Sequence, residues 1–414
     1  MKLLSLLSIA TVAVGLATGA ETMMVKRVLD VNRYPNAVCL DGTPGAYYFH
    51  KSPTGSTTWQ LYFEGGGWCY NELDCAERAK TDLGSSKNYP ALKSRSDVNG
   101  LLSSNCDTNP EFCDANLVFM KYCDGDSFSG ARDDAVEVNG QALHFKGKYI
   151  LEAILLSLQG EGLTSATSVL QTGCSAGGLS SYLHGDYVGS FVSDVAPALT
   201  RFAVAPISGY FLTRNNVDDK DIYGAQIKYI SGLANATSGL PPSCVSSSPP
   251  GESWRCNTAE GAYRSMESPV FVLDSSIDSW QSGCILGATE VPPNSSDNGY
   301  CNRVPGFESC SGDPRTCTDS QIYSITEYQG SFVRSLTRSD TYGLDGNGAF
   351  VYECFTHCAA QDDWAFLGFT LGGVTLRDAV YGWWRGLEGG KRPPATNFLP
   401  QLWNTDSTNP NPTC

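Results

Sequence analysis

The chain has 414 residues, with 43 Asp and Glu against 28 Lys and Arg, a formal net charge of −15 at pH 7, 16 cysteines and four histidines. That charge argues against nucleic acid or an anionic membrane surface as a partner. So many cysteines point away from the reducing cytosol, towards an exported protein held by disulfides.

In chain order, Met1-Lys2 precedes an uncharged apolar and small-residue run from Leu3 to Gly19, closed by Ala20 and Glu21. This pattern predicts a secretory signal peptide over residues 1–20. The run is short for a bilayer span and no later segment is apolar enough for one, so no membrane anchor is expected. Residues 21–414 are then expected to form a single α/β domain.

Short apolar runs at Trp59–Phe63, Asn116–Tyr122, Val169–Thr172, Phe202–Ile207, Val270–Leu273 and Ala349–Phe355 predict buried strands. Helical spacing appears between them. Tyr149, Ile150, Ala153, Ile154 and Leu158 share one face, and Leu179–Val188 and Leu376–Leu387 are helix-like. The alternation predicts an α/β-hydrolase-like fold with a mostly parallel central sheet flanked by helices. Residues 238–258 and 287–318, rich in Pro, Ser, Gly, Asn and Cys, are expected to be disulfide-tied excursions that shape a cleft. The tail from Gly389 is expected to be extended, with Cys414 pinned by a disulfide. Asn235 and Asn294 each begin a glycosylation sequon.

Gly173-Cys174-Ser175-Ala176-Gly177-Gly178 joins a strand-like run to a helix-like one. A sharp strand-to-helix turn lifts a serine clear of the backbone, and only small neighbours fit there. A Gly/Ser turn without chemistry is the plainer reading of the same residues. A serine nucleophile needs a base, with the acid and then the base following it in hydrolase chain order. His50 and His144 precede Ser175, and His184 lies on the departing helix, roughly 13 Å along its axis. His357, after the Ala349–Phe355 run, remains as the base. Asp274 and Asp278 both follow the Val270–Leu273 run, and the residues alone do not choose between them as the acid. Backbone donors for an oxyanion are expected in the Glu64-Gly65-Gly66-Gly67-Trp68 loop and at Ala176. Cys354 and Cys358 around His357 lack the second pair that a zinc site requires, so neither metal nor cofactor is expected.

Taken together, Tyr62–Cys69, Gly173–Gly178, Asp278-Ser279-Trp280-Gln281 and His357-Cys358 resemble the pectin acetylesterase family, which includes the secreted lipid-removing carboxylesterase Notum. Cys39-Leu40-Asp41-Gly42, Ala46-Tyr47-Tyr48 and Asp378-Ala379-Val380 add to the resemblance. It implies a triad of Ser175, Asp278 and His357, with Gly66, Gly67 and Ala176 as oxyanion donors. Asp274 stands where the family carries a neutral Asn, and it stays the alternative acid. The implied activity is removal of O-acetyl groups from a cell-wall polysaccharide, pectin first, through an acyl-enzyme. A Notum-like lipid esterase, or an inactive secreted binding protein, is the alternative. Arg201 or Arg214 is a candidate for binding galacturonate in the cleft. Cys174 and Cys358 adjoin two triad members, so a working site brings them together, either as a bracing disulfide or as buried thiols.

Overall fold

A computed structural model describes residues 23–290 and 301–400; the signal-peptide residues, the Asn294 sequon and Cys414 lie outside the described residues. One ten-stranded sheet organises it. In chain order its strands are β1 (Met23–Val28), β2 (Ala46–His50), β3 (Thr58–Phe63), β4 (Leu92–Ser94) and β5 (Asn116–Met120). They continue with β6 (Ser168–Cys174), β7 (Arg201–Ile207), β8 (Phe271–Ser275), β9 (Gly348–Tyr352) and β10 (Thr396–Phe398). The spatial order is β10-β9-β8-β7-β6-β3-β5-β2-β1-β4. From β10 through to β5 all neighbours are parallel, and β2, β1 and β4 form an antiparallel edge.

Parallel strands are covered on both faces, so their residues are apolar almost throughout. Here Leu61, Phe63, Val169 and Val272 enter one core, while Tyr62, Leu170 and Leu273 enter a second on the opposite face. The longer helices among the described residues are α1 (Glu72–Arg78), α2 (Gly147–Glu161), α3 (Ala176–Val195), α4 (Tyr223–Leu233), α5 (Asp319–Thr337) and α6 (Leu376–Gly386). Buried residues of α2, α3 and α5 fill the first core, and Leu376, Val380, Trp383 and Trp384 of α6 fill the second. The mostly parallel, helix-flanked α/β-hydrolase-like architecture is therefore as expected.

Element bounds differ in detail. The last strand-like run stops at Tyr352 rather than Phe355, because its ladder with β8 ends there. The elbow helix begins at Ala176 and extends to Val195, beyond the apolar stretch that ends at Val188.

The register positions the site. Phe63 is level with both Met120 and Gly173, Cys174 with Ile207, and Ser275 with Tyr352. The loops after β3, β6, β7, β8 and β9 therefore leave the sheet along one edge, where α/β sheets place ligands.

Seven disulfides link pairs of described residues: Cys39–Cys123, Cys69–Cys75, Cys106–Cys113, Cys174–Cys358, Cys244–Cys256, Cys284–Cys301 and Cys310–Cys317. Cys354 is disulfide-bonded as well. Both loop-rich excursions are tied in this way, as their composition suggested. Among the described residues, Cys301 of the later one borders the cavity that Ser175 lines, and the earlier one does not reach it.

Candidate active site

Ser175 sits between β6 and α3 at φ 61°, ψ −127°. Such a backbone costs about 1–3 kcal/mol in a non-glycine residue and persists only where the surroundings enforce it. Close packing does so here. A Cβ on Gly173 would strike the Gly177 carbonyl, and one on Gly177 would strike the Phe63 carbonyl. The Ser175 amide donates to the Ile207 carbonyl at 3.0 Å, and its own carbonyl accepts from Leu179 at 2.9 Å.

Asp278 lies beyond β8, fully buried, as the cap of the short helix Ser279–Gln281. One carboxylate oxygen accepts from the Gln281 amide at 3.0 Å and the other is 2.7 Å from His357 Nδ1. A buried carboxylate held from two sides fixes the imidazole tautomer and ring direction. His357 follows β9, flanked by Trp280 and Phe211 at ring-centroid distances of 6.4 and 6.5 Å. Among the described residues its Nε2 is buried without a hydrogen-bond partner.

Asp274 does not share this role. Its two oxygens accept from the amides of Tyr210 and Ser275, each at 2.9 Å, which ties the loop after β7 to the end of β8. Burial, and then the neighbouring Asp278 charge, raise its carboxyl well above the ordinary range. The other histidines stand apart. His184 Nε2 lies 2.9 Å from the Ser127 carbonyl, and burial pushes the ring down to about 4. His50 Nδ1 faces the Met23 carbonyl at 3.3 Å.

Ser175 and His357 line one cavity of about 860 Å³ with Gly66, Gly67, Trp68, Trp280 and Gln361. Asp74, Glu77, Arg78 and Asp82 complete its charged wall. Gly66 and Gly67 have φ of 137° and 63°, which only glycine adopts readily. Ala176 opens α3, so its amide is one of the first-turn donors that a helix leaves without an internal acceptor.

The Cys174–Cys358 bond ties the residues beside Ser175 and His357, with Cα atoms 5.8 Å apart. The bracing alternative therefore holds over buried thiols. Arg201 and Arg214 are not at the cleft. Arg201 stacks 3.9 Å over the Trp384 ring and donates to its carbonyl, while Arg214 donates to the Glu327 carbonyl at 2.8 Å. Sequence reasoning missed Arg78, Trp280 and Gln361 as cleft residues. Trp280 lay inside the Asp278-Ser279-Trp280-Gln281 motif, whereas Arg78 carried no signal.

The chain matches the Pectinacetylesterase family over residues 18–391. Pectin acetylesterase 5 of Arabidopsis thaliana is 32% identical over 333 residues, covering 80% of this chain and 73% of that relative. Palmitoleoyl-protein carboxylesterase NOTUM of Mus musculus is 32% identical over 259 residues, 59% of this chain and 49% of that protein. The structure of the Wnt deacylase Notum from Drosophila superposes with a TM-score of 0.73 at 22% identity, covering 92% of this chain and 97% of that one, a likeness of fold. The order of strands, the glycine-packed serine turn and these matches agree: the chain belongs to the pectinacetylesterase family and is a carboxylic ester hydrolase.

Proposed function

We propose that this protein is a secreted serine esterase that removes O-acetyl groups from cell-wall polysaccharide through an acyl-enzyme. The observation that carries this reading is the buried Asp278 carboxylate 2.7 Å from the His357 ring, whose Nε2 has no partner among the described residues and which lines one cavity with Ser175. His357 takes the Ser175 proton as the serine oxygen attacks the acetyl carbonyl. Backbone amides of Gly66, Gly67 and Ala176 receive the oxyanion. Asp278 stabilises the imidazolium, which then protonates the sugar hydroxyl as it leaves. Water, deprotonated by the same ring, attacks the acetyl-Ser175 carbonyl, and the ring returns that proton to Ser175 Oγ as its bond to the acetyl carbon breaks and acetate leaves. Signal peptide 1–20 delivers residues 21–414, one domain, to the cell exterior, and exposed Asn235 is its sequon among the described residues.

Glu77 and Asp82, exposed where they line the cavity, suit a small acyl group on a polar leaving group better than a long apolar chain. Glu77 and Asp82, with the net charge of −15, also favour stretches of polymer with few free carboxylates. Acetate release from acetylated pectin, xylan and mannan by wild type and by Ser175→Ala tests the reading. Wild type should release acetate, Ser175→Ala should fall by roughly 10⁴-fold or more while staying folded, and activity should drop sharply on acyl esters longer than acetate. Hydrolysis unchanged in Ser175→Ala, or a preference for long acyl chains, contradicts it.

A further inference from the structure

A loop of consecutive glycines has little intrinsic preference between peptide orientations. An oxyanion hole needs those peptides fixed before the substrate arrives, so their directions have to be set from outside the loop. Arg78, at the end of α1 and 9% exposed, points its guanidinium into the back of the Glu64–Trp68 loop. Its Nη1 donates to the Gly66 carbonyl at 2.9 Å, its Nη2 to the Gly67 carbonyl at 3.4 Å and its Nε to the Leu83 carbonyl at 3.1 Å. The Tyr122 hydroxyl donates to the same Gly67 carbonyl at 2.9 Å, and its ring lies 5.0 Å under the guanidinium.

In a trans peptide the carbonyl and the following N–H point in opposite directions, and no peptide bond among the described residues is cis. Holding the Gly66 carbonyl against Arg78 therefore turns the Gly67 N–H away from α1. The elbow lies on that other side, because a Cβ on Gly65 would meet Ser175 Cβ and the Cys174 carbonyl, whereas one on Gly66 would meet Leu83. The scaffold behind Arg78 is itself tied. Asn71 caps α1 by accepting from the Asp74 amide at 2.9 Å, and Cys69–Cys75 closes the turn into it.

The same strut also reaches the first turn of α3 beside the elbow. Tyr122 accepts from the Ser127 amide at 3.1 Å, and Ser127 Oγ accepts from Trp68 Nε1 at 2.8 Å while donating to the Ala176 carbonyl at 3.0 Å. Burial pushes the Tyr122 phenol up, so it stays protonated as a donor.

We propose that Arg78 is a positioning residue that presets the oxyanion hole by holding the Gly66 carbonyl, and with it the Gly67 N–H, while Tyr122 supports it by holding the next peptide through the Gly67 carbonyl so that both torsions of Gly67 are fixed; this rests on the serine-esterase reading above. They act on the transition state through backbone direction, so their loss should lower kcat with little change in KM. The full chain would be compared as wild type, Tyr122→Phe and Arg78→Lys, with Ser175→Ala alongside. The measurements are kcat and KM on p-nitrophenyl acetate, inhibition by methaneboronic acid as a tetrahedral adduct of serine, and thermal unfolding. Tyr122→Phe should lose about 10-fold in kcat and Arg78→Lys about 100-fold, with KM within about 2-fold. Boronate inhibition should weaken in step with kcat. If Arg78→Lys does not fold, Tyr122→Phe decides alone. Full kcat and full boronate affinity in a folded Tyr122→Phe, with Ser175→Ala inactive, overturn the clamp and leave the esterase reading standing. Wild-type hydrolysis by Ser175→Ala instead removes that reading itself.

Discussion

Ser175 reaches the cleft on a turn packed backbone against backbone, with Gly173 and Gly177 leaving no room for a Cβ. His357 reaches it on a loop beyond β9, held by the Asp278 carboxylate, by Trp280 and Phe211, and by the Cys174–Cys358 bond. The first wall is specified by the sheet and by the absence of side chains. The second is specified by individual side-chain contacts, each of which can be removed singly. Damage on the His357 side should therefore cost rate first, and damage beneath Ser175 should cost stability first.

The largest effect tests the base wall. Asp278→Asn should lower kcat by roughly 10⁴-fold with the fold intact, because the amide favours the wrong imidazole tautomer. Asp274→Asn, whose side chain meets backbone amides of the β7 and β8 ends rather than His357, should stay within about 10-fold of wild type. Steady-state kinetics on p-nitrophenyl acetate, with circular dichroism as the check on folding, separates the two. Equal losses would erase the distinction between these aspartates.

The disulfide that links the walls comes next. Replacing Cys174 and Cys358 together by Ala should cost about 2–4 kcal/mol of stability, measured by denaturant unfolding. The rate should fall less than in Asp278→Asn, since Asp278 still orients the ring.

The smallest effect lies beneath Ser175. His184 on α3 is held neutral by burial, with its folded pKa pushed down to about 4. The unfolded chain then binds the proton more readily, so stability present above the unfolded pKa near 6.5 is lost as pH falls towards 4. Wild type should lose up to roughly 3 kcal/mol relative to His184→Gln between pH 7 and pH 4, read as the difference in urea midpoints. A difference that does not change with pH would show that His184 does not titrate in this way.

How much of this was legible follows the same division. The central strands were readable because burial on both faces leaves near-continuous apolar runs such as Trp59–Phe63 and Val169–Thr172. The antiparallel edge was not. Met24-Val25-Lys26-Arg27 of β1 mixes charge with apolar residues, and β2 follows a Gly- and Pro-rich turn at residues 42–45 that reads as a loop. α5 was also missed, since Ser, Thr and Gln dilute its apolar stripe, although Thr318 and Gln321 form a capping box at its start. Ser175 and His357 were reachable from the elbow and from the scarcity of histidine. The choice of Asp278 needed the family resemblance, because a strand-end carboxylate shows its partner only in three dimensions. Arg78 was invisible for a related reason: a surface helix and a buried clamp share one local sequence, and tertiary packing decides between them.

The central claim is that Ser175 is the acyl-forming nucleophile. Treating the full chain with a fluorophosphonate and mapping the adduct by mass spectrometry tests it most directly. One adduct per molecule on Ser175, formed in step with loss of esterase activity and absent from Ser175→Ala, is the result predicted here. A label on another residue, or esterase activity surviving complete labelling of Ser175, would contradict it.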